Sequence, residues 1–412
     1  MNPMPKTRSL FTFEFLALCL IIAAAFCNVS VFYSFYHYQG AIGIPPAWRG
    51  FLVGLEPMSA FILRLLVLPW LHVRNVMAVL IISLLLLIAV SCAYLWVTTV
   101  PAMIVLRIVH GAVFVLLTSA AIALVVNFIP GEKSGQGFSA ISIATMIPYA
   151  VIPPLFEALL PFVRSEADIY AAVSIFSVAA IFLLAMVRRR IGDALRGMDG
   201  VLLRRPTFSE IRENFRLRSV FFLLSAIFLI YLAHATFFYF MKDLSLQIRT
   251  GDVGLFFTVS MATMIAVRAF GTALFDRMNK LSMLQKSLAL LIPCLILLPH
   301  ATFPVYYYLL AAAYGLCLGV ILPLLNALLF SASPPSLRGL NTNMTLFAMD
   351  AAYFVMPYLG GILITSGAGF DALFYIAAGF VMLSMALIMI LSHGLRHVPT
   401  AGDGTCILPP CR

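Results

Sequence analysis

Residues 188–218 read RRRIGDALRGMDGVLLRRPTFSEIRENFRLR, and this basic stretch divides the chain into two apolar halves. It is the only long polar interval between Phe11 and Ser392. On either side lie apolar runs of about twenty residues or more, long enough to cross a hydrocarbon core roughly 30 Å thick as α-helices. The pattern predicts two membrane-embedded bundles joined by one polar linker.

The composition indicates a membrane protein rather than a soluble one. Of 412 residues, 63% are hydrophobic and 10% are charged, too few charges to cover the surface of a water-soluble domain. The net charge of +10 would suggest a nucleic-acid partner in a soluble chain, but most Lys and Arg residues fall in alternate loops. We therefore expect contact with membrane lipid and no nucleic acid.

Breaks at Pro, Gly and charge clusters divide the apolar sequence into twelve predicted helices, an all-α polytopic membrane fold. Lipid offers the backbone no hydrogen-bond partners, so each span has to be helical. The predicted helices cover residues 12–35, 48–71, 74–96, 101–128, 134–160, 168–187, 218–241, 251–275, 281–299, 303–331, 338–365 and 370–393. The predicted domains are a six-helix bundle at 1–187, a linker at 188–217, a second six-helix bundle at 218–393 and a tail at 394–412.

Loop charge predicts the orientation in the membrane. With the N-terminus inside, the cytoplasmic segments hold the central linker and most of the other basic residues. The opposite side holds only Arg49, Arg164, Lys242 and Arg249. This asymmetry places both termini in the cytoplasm. We expect a multi-pass protein of the cell (inner) membrane.

An internal repeat relates the two halves. Shifting the chain by 204 positions aligns seven pairs without a gap: Gly50 with Gly254, Arg64 with Arg268, Asn75 with Asn279, Gly111 with Gly315, Pro130 with Pro334, Gly135 with Gly339 and Pro153 with Pro357. Equivalent positions are six helices apart, so the two bundles are predicted to be parallel repeats about a pseudo-two-fold axis along the membrane normal. Pro153 and Pro357 are expected to bend helices 5 and 11 around a central cavity.

The segment Arg268–Lys280, RAFGTALFDRMNK, resembles the loop motif between helices 8 and 9 of the major facilitator superfamily. The resemblance covers the chain to about His393 and implies a functional monomer that works by alternating access. It also implies a gate in which Gly271 permits close helix approach while Asp276 and Arg277 latch the cytoplasmic helix ends. Arg268 and its repeat mate Arg64 are assigned to the same gate, with Pro153 and Pro357. The alternative for the motif is an ordinary polar turn.

Helix 4 carries Arg107-Ile-Val-His110-Gly111, similar to the Arg-x-x-Gln-Gly motif of proton-driven antiporters with His in place of Gln. Lipid exposure of a mid-helix arginine is costly, so Arg107 is predicted to face the cavity or an acid, or else to reach the outer interface. The glycine-proline signature expected in helix 5 is replaced here by Pro153-Pro154. That departure keeps an importer or uniporter open as an alternative.

Three ionisable residues within predicted helices are candidates for proton coupling: Asp350, Glu56 and His234. A buried carboxyl group favours its neutral form, which is the property a proton carrier needs. The alternatives for Asp350 are an ion pair with Arg268 or another cavity arginine, and a capping contact at the bend near Pro357. Glu56 could instead pair with Arg107 or face water at the interface. His234 is open to a packing role.

The predicted substrate contacts are polar or aromatic residues in the central helices: Arg107, His110, Asn28, Tyr231, Asn326 and Tyr353. Their alternatives are helix-to-helix hydrogen bonds and aromatic packing. The sequence contains no phosphate-binding glycine loop, zinc-ligand cluster or nucleophile elbow, so we expect neither an enzyme nor a bound cofactor or metal.

These features predict a secondary transporter, and the resemblance to bacterial drug and sugar efflux permeases favours proton-coupled efflux of a small organic or amphipathic molecule. The alternative is an importer or uniporter of an organic anion or other metabolite, with Arg107 and Arg268 as contacts. A more remote alternative is a membrane receptor without transport.

Overall fold

The computed structural model describes residues 10–67, 75–125, 128–129, 134–194, 209, 212, 215–270, 279–333 and 338–396. Within these ranges every regular element is a helix. The helices are α1 (Phe13–Ser30, continued by a 3-10 turn at Val31–Ser34 and by Phe35–Ala41), α2 (Pro46–Val67), α3 (Val76–Ala93), α4 (Val100–Val125), α5 (Ser134–Leu159), α6 (Glu166–Ala172 and Ser174–Ala194), α7 (Arg218–Ile248), α8 (Val253–Phe270), α9 (Lys280–Leu297), α10 (Pro304–Ala332), α11 (Arg338–Thr365) and α12 (Phe370–Arg396).

This helix order confirms the predicted all-α membrane fold. Eleven of the described helices are long and apolar enough to cross a membrane. The other span, α2, carries three charged residues, Arg49, Glu56 and Arg64. The end of the molecule at which α1 begins and α12 ends is termed the termini end, and the end at which α1 passes into α2 is termed the far end.

Local sequence explains where several helices begin. The Thr12 hydroxyl accepts a hydrogen bond from the Phe15 N–H at the start of α1. Ser165 and Asp168 form a reciprocal capping box at the start of α6. The Asn279 side chain accepts from the Leu281 and Ser282 N–H groups at the start of α9. Each cap satisfies backbone donors that the first turn leaves without partners.

The helices pack into two bundles whose main contacts with each other are α2 against α11 and α5 against α8. At the far end, α7 also touches the 3-10 turn and last segment of α1. Most contacts of α1 are instead with α4, α5 and α6 in its own bundle. The molecule is therefore joined along two helix seams, with an additional contact at the far end.

The two seams use repeat-related residues. Gly50 of α2 lies against the Pro357 carbonyl and Gly361 of α11, and its repeat mate Gly254 of α8 lies against Pro153 and Pro154 of α5. A side chain at either glycine would collide with backbone of the opposite bundle. The glycines thus permit close helix approach at both seams, and the prolines occupy the positions that receive them.

The same repeat governs packing inside each bundle. Gly111 of α4 lies against the Glu56 carbonyl of α2, and Gly315 of α10 lies against the Ser260 carbonyl of α8. Glu56 and Ser260 are themselves 204 positions apart. The same close backbone contact therefore occurs at equivalent positions in both bundles, as expected of an internal duplication.

The most consequential difference from the predicted boundaries is in α7. The charged pair Lys242-Asp243 predicts a helix end near residue 241, whereas α7 continues to Ile248. Both charged side chains are buried, at 5% and 9% exposure. They remain in the helix because residues of the first bundle contact them at the far end, the Glu157 carboxylate near Lys242 and the His37 ring near Asp243.

Candidate functional site

A cavity of about 90 Å³ lies between the two bundles. Helices α1, α2, α4, α5, α7 and α11 supply its wall. The lining residues are Phe26, Val29, Glu56, Pro57, Ala60, Arg64, Phe114, Thr118, Ile122, Tyr149, Tyr239, Leu346, Met349, Asp350 and Tyr353. The wall is therefore mainly apolar and aromatic, with two carboxyl groups and one guanidinium among its described residues.

Arg64 and Asp350 form an ion pair across the α2–α11 seam. Arg64 Nε donates to Asp350 Oδ2 at 2.7 Å, and Arg64 Nη2 donates to Oδ1 at 3.4 Å. The residues are 5% and 6% exposed, and this fork-to-fork geometry suits two planar charged groups. Loss of either charge would leave the other buried without its counter-ion, a strongly unfavourable arrangement.

The second seam lacks this acid. Arg268, the repeat mate of Arg64, donates to the Ser142 hydroxyl of α5. Met146 stands at the position equivalent to Asp350. A carboxylate–guanidinium pair therefore joins the helices at the α2–α11 seam. At the pseudo-symmetric α5–α8 seam the arginine is hydrogen-bonded to a neutral hydroxyl group instead.

Glu56 faces the cavity and lies 3.6 Å from Arg107 Nη2. Arg107 itself is 1% exposed. It donates to the Leu52 carbonyl at 3.0 Å and to the Val53 carbonyl at 2.7 Å, and its guanidinium lies 4.6 Å from the centre of the Phe35 ring. The arginine is thus buried behind the wall, inside the first bundle.

His110 and Asn28 also lie inside the first bundle. The His110 ring is buried, with Nδ1 3.1 Å from the Tyr94 hydroxyl. Asn28 donates to the Ser177 hydroxyl at 3.1 Å and accepts from the Ser91 hydroxyl at 3.2 Å. These bonds join α1, α3 and α6, which is the helix-to-helix use of a buried amide.

Aromatic side chains form the α7 and α11 side of the cavity. The ring centres of Tyr239 and Tyr353 are 5.7 Å apart, and both residues line the wall. His234 lies behind Tyr353, with Nδ1 2.7 Å from the Tyr314 hydroxyl. This imidazole therefore has a hydrogen-bond partner within the second bundle.

The structure brings Glu56, Arg64, Asp350 and Tyr353 together in one wall. Tyr231 is partly buried against the apolar core, and Asn326 is exposed on α10. Gly271, Asp276 and Arg277 lie outside the described residues. In the part of the chain that the structure describes, no group of three His, Cys, Asp or Glu side chains could hold a metal ion.

A charged cluster at the far end was not among the predicted site residues. Lys242 of α7 is buried, with its ammonium 3.0 Å from Glu157 of α5 and 3.8 Å from Glu166 of α6. Tyr33 donates to Glu157, and Ser34 donates to Glu166 at 2.7 Å. One cation of the second bundle is thus held by two carboxylates of the first.

A second contact lies beside this cluster, where His37 Nδ1 of α1 is 3.3 Å from Asp243 Oδ1 of α7. The feature of the sequence that could have indicated this cluster is the adjacent charged pair Lys242-Asp243. Loop-charge counting assigns Lys242 to a loop on the side opposite the cytoplasm, and sequence spacing alone does not connect it to Glu157. Their pairing depends on how the two bundles approach each other.

Two six-helix bundles around a partly polar central cavity define a polytopic membrane transporter of the alternating-access type. The sequence profile described as Major Facilitator Superfamily matches residues 16–349, with a second match at residues 223–404. The chain belongs to the Major Facilitator Superfamily. The comparison with curated proteins found no match.

Solved structures of three transporters share the fold. A mutant of the nucleoside transporter NupG matches with a TM-score of 0.71 and 12% identity, covering 92% of this chain and 99% of that one. A bacterial homologue of the human lysosomal transporter Spinster, inward-facing and unoccupied, matches with a TM-score of 0.70 and 12% identity, covering 96% of this chain and 100% of that one. The human organic anion transporter MFSD10 (TETRAN) matches with a TM-score of 0.63 and 18% identity, covering 93% of this chain and 100% of that one.

Proposed function

We propose that this chain is a proton-coupled exporter of a small amphipathic organic molecule, which binds in the central cavity. The observation that carries the proposal is the Arg64–Asp350 pair, because it is both an ionisable group in the wall and a contact between the two bundles. A proton on Asp350 removes the carboxylate charge that holds Arg64. Protonation of Asp350 is then coupled to the separation of α2 from α11.

Glu56 is the second proposed proton site. Its carboxyl group faces the cavity, and the nearby Arg107 is also held by two backbone carbonyls. A substrate bearing an amine would find Glu56 together with the Tyr149, Tyr239 and Tyr353 rings. Carboxylates and aromatic faces both attract cations, which favours an amphipathic amine among the possible substrates.

The cavity size supports a rocking mechanism. Pockets for drug-sized ligands have volumes of about 300–1,000 Å³, whereas this cavity has about 90 Å³. A substrate of that size requires the bundles to separate, and the far-end contacts of Lys242 and Asp243 with the first bundle close one route. We assign the far end to the outside and the termini end to the cytoplasm, on the strength of the loop-charge asymmetry.

The test begins with a thermal-shift screen of lipophilic amines, organic anions, sugars, amino acids and metallophore-like compounds, since a ligand that binds the native state raises its stability. Flux of the best ligand is then measured in proteoliposomes with an imposed pH gradient. Antiport predicts accumulation in an acidic lumen, because protons leave as substrate enters. Asp350→Asn should abolish this accumulation, whereas Asp371→Asn, at the far end of α12, should retain it.

Both variants must reach the membrane at the wild-type level for the comparison to hold. Gradient-driven accumulation that is unchanged in Asp350→Asn would remove this residue from coupling. Accumulation that does not depend on the gradient in the wild-type protein would remove proton coupling altogether.

A second candidate function is symport of an organic anion. The observation that favours it is that a proton on Asp350 also frees Arg64, the guanidinium of the described wall, to bind an anion. Symport reverses the sign of the flux experiment, since the anion would accumulate in an alkaline lumen. Arg64→Gln would abolish anion binding under this alternative, whereas an amine exporter would still bind its substrate.

A further inference from the structure

A large apolar groove, separate from the central cavity, is formed mainly by the second bundle, and Phe61 of α2 in the first bundle also lines it. Its volume is about 650 Å³. Phe221 and Phe228 of α7, Phe347 and Ala348 of α11 and Leu383 of α12 line it. These positions fall in the half of each helix nearest the termini end, so the groove occupies one leaflet of the membrane.

The groove faces away from the central cavity. On α11 the groove is lined by Met344, Phe347, Ala348 and Ala351, whereas the cavity is lined by Asp350 and its neighbours on the opposite helix face. Phe221 and Leu383 are 49% and 52% exposed. Among the lining residues, Ser225 is the polar one. Such a surface fits a hydrocarbon chain rather than a polar solute.

Exposed arginines stand at the mouth of this groove. Phe215 lines the groove and is followed directly by Arg216, which is exposed, as is Arg218. The Arg218 guanidinium lies 5.5 Å from the Phe222 ring centre, and Phe222 contacts Phe221 of the groove. Neither arginine is paired with a carboxylate among the described residues. Both arginines are exposed, so an anion at the membrane surface can reach their guanidinium groups.

We propose that the groove is a binding site for an anionic phospholipid, with one acyl chain along α7, α11 and α12 and the phosphate at Arg216 and Arg218. Charge complementarity selects this occupant, because basic residues at a membrane surface attract anionic lipid headgroups. The bound lipid covers the outer face of α11, the helix that carries Asp350 at the seam with α2. Activity and stability then depend on the anionic lipid content of that leaflet.

The test compares dioleoyl phosphatidylglycerol with dioleoyl phosphatidylcholine, added to the detergent-solubilised full chain. Native mass spectrometry counts retained lipids, and thermal unfolding gives the apparent affinity. We expect one tightly retained phosphatidylglycerol and a rise in Tm that phosphatidylcholine does not produce. The double variant Arg216→Gln/Arg218→Gln should bind phosphatidylglycerol about tenfold to thirtyfold more weakly. Ala348→Trp should fill the groove and remove the same retained lipid.

Two matched variants control for charge and bulk. Arg188→Gln/Arg189→Gln removes two exposed arginines at the termini end of α6 in the other bundle, and Ala262→Trp adds an indole on an exposed face of α8. Both should bind phosphatidylglycerol as the wild type does. Equal binding of phosphatidylcholine, equal losses in the controls, or a dimer whose interface covers the groove would each overturn the proposal. None of these readouts depends on transport.

Discussion

Two buried arginines of similar appearance have different surroundings. Arg107 is held by the Leu52 and Val53 carbonyls and by Phe35, all within the first bundle. Arg64 is held by one carboxylate that belongs to the second bundle. Backbone carbonyls do not titrate, whereas a carboxylate does. A proton therefore releases Arg64 but leaves these bonds of Arg107 unchanged.

The Arg64–Asp350 pair can be tested by a double-mutant cycle of thermal stability. Asp350→Asn leaves Arg64 buried without its counter-ion, and breaking a buried pair in this way costs about 3–5 kcal/mol. The double variant Arg64→Gln/Asp350→Asn replaces both charges with amides and should recover most of the lost stability. Thermal unfolding in detergent measures the stability of the single and the double variant. If the two substitutions are additive, the side chains do not interact in the folded protein.

At the scale of the helix, the seams depend on glycine rather than on charge alone. Gly50→Ala places a Cβ within 2.8 Å of Gly361 Cα. Overpacking of this kind typically costs about 1–3 kcal/mol. We expect α2 and α11 to separate, which lowers the Tm and raises maleimide labelling of a reporter cysteine at Gln39, a fully buried far-end position.

The matched control for this substitution is Gly379→Ala on α12, where an added Cβ meets no described atom within 4 Å. Alanine is also the better helix former, by about 1 kcal/mol. Gly379→Ala should therefore be neutral or stabilising and leave the labelling rate unchanged. Similar losses of stability in the two variants would show that the seam is not the cause.

The far-end cluster predicts a gate that depends on one lysine. Lys242→Met removes the cation shared by Glu157 and Glu166, and the two carboxylates then repel across the α5–α6 end. We expect faster labelling of the Gln39→Cys reporter, by about tenfold for each 1.4 kcal/mol of lost closure. Lys242→Arg, which keeps the charge, should label slowly.

Neutralising the two acids provides the internal check. Lys242→Met/Glu157→Gln/Glu166→Gln removes the repulsion together with the attraction, so its labelling should slow again relative to Lys242→Met. If the triple variant labels as fast as the single one, packing by the lysine stem rather than its charge closes the far end.

For the whole molecule, the features predictable from sequence are those that recur at a fixed offset. Gly50, Gly254, Pro153 and Pro357 mark the repeat, and the structure places each glycine against the proline of the opposite bundle. Hydrophobic length is a local property of the chain, and so it predicts the helices well. The fold could therefore be deduced before any contact was known.

The site was less predictable, because its pairings join residues far apart in sequence. Asp350 could be identified as a buried acid, but its partner Arg64 is 286 positions away. Lys242 was assigned from sequence to the side opposite the cytoplasm, since charge near a helix end usually faces water, and nothing in the local sequence connects it to Glu157 or Glu166. Only the packing of α7 against the first bundle turns these charges inward.

Alternating access predicts that a link between the bundles at the far end stops transport, whereas a link within one bundle does not. Tyr36 and Phe240 join α1 to α7, with ring centres 5.2 Å apart. Phe256 and Tyr307 join α8 to α10 within the second bundle, with ring centres 4.5 Å apart.

Each pair is changed to cysteines in a background without native cysteines and treated with a reducible bifunctional thiol reagent. Flux of the ligand from the thermal-shift screen should be lost for Tyr36→Cys/Phe240→Cys, return on reduction, and persist throughout for Phe256→Cys/Tyr307→Cys. Full flux in the cross-linked far-end pair would mean that the bundles need not separate there, and the rocking mechanism would have to be abandoned.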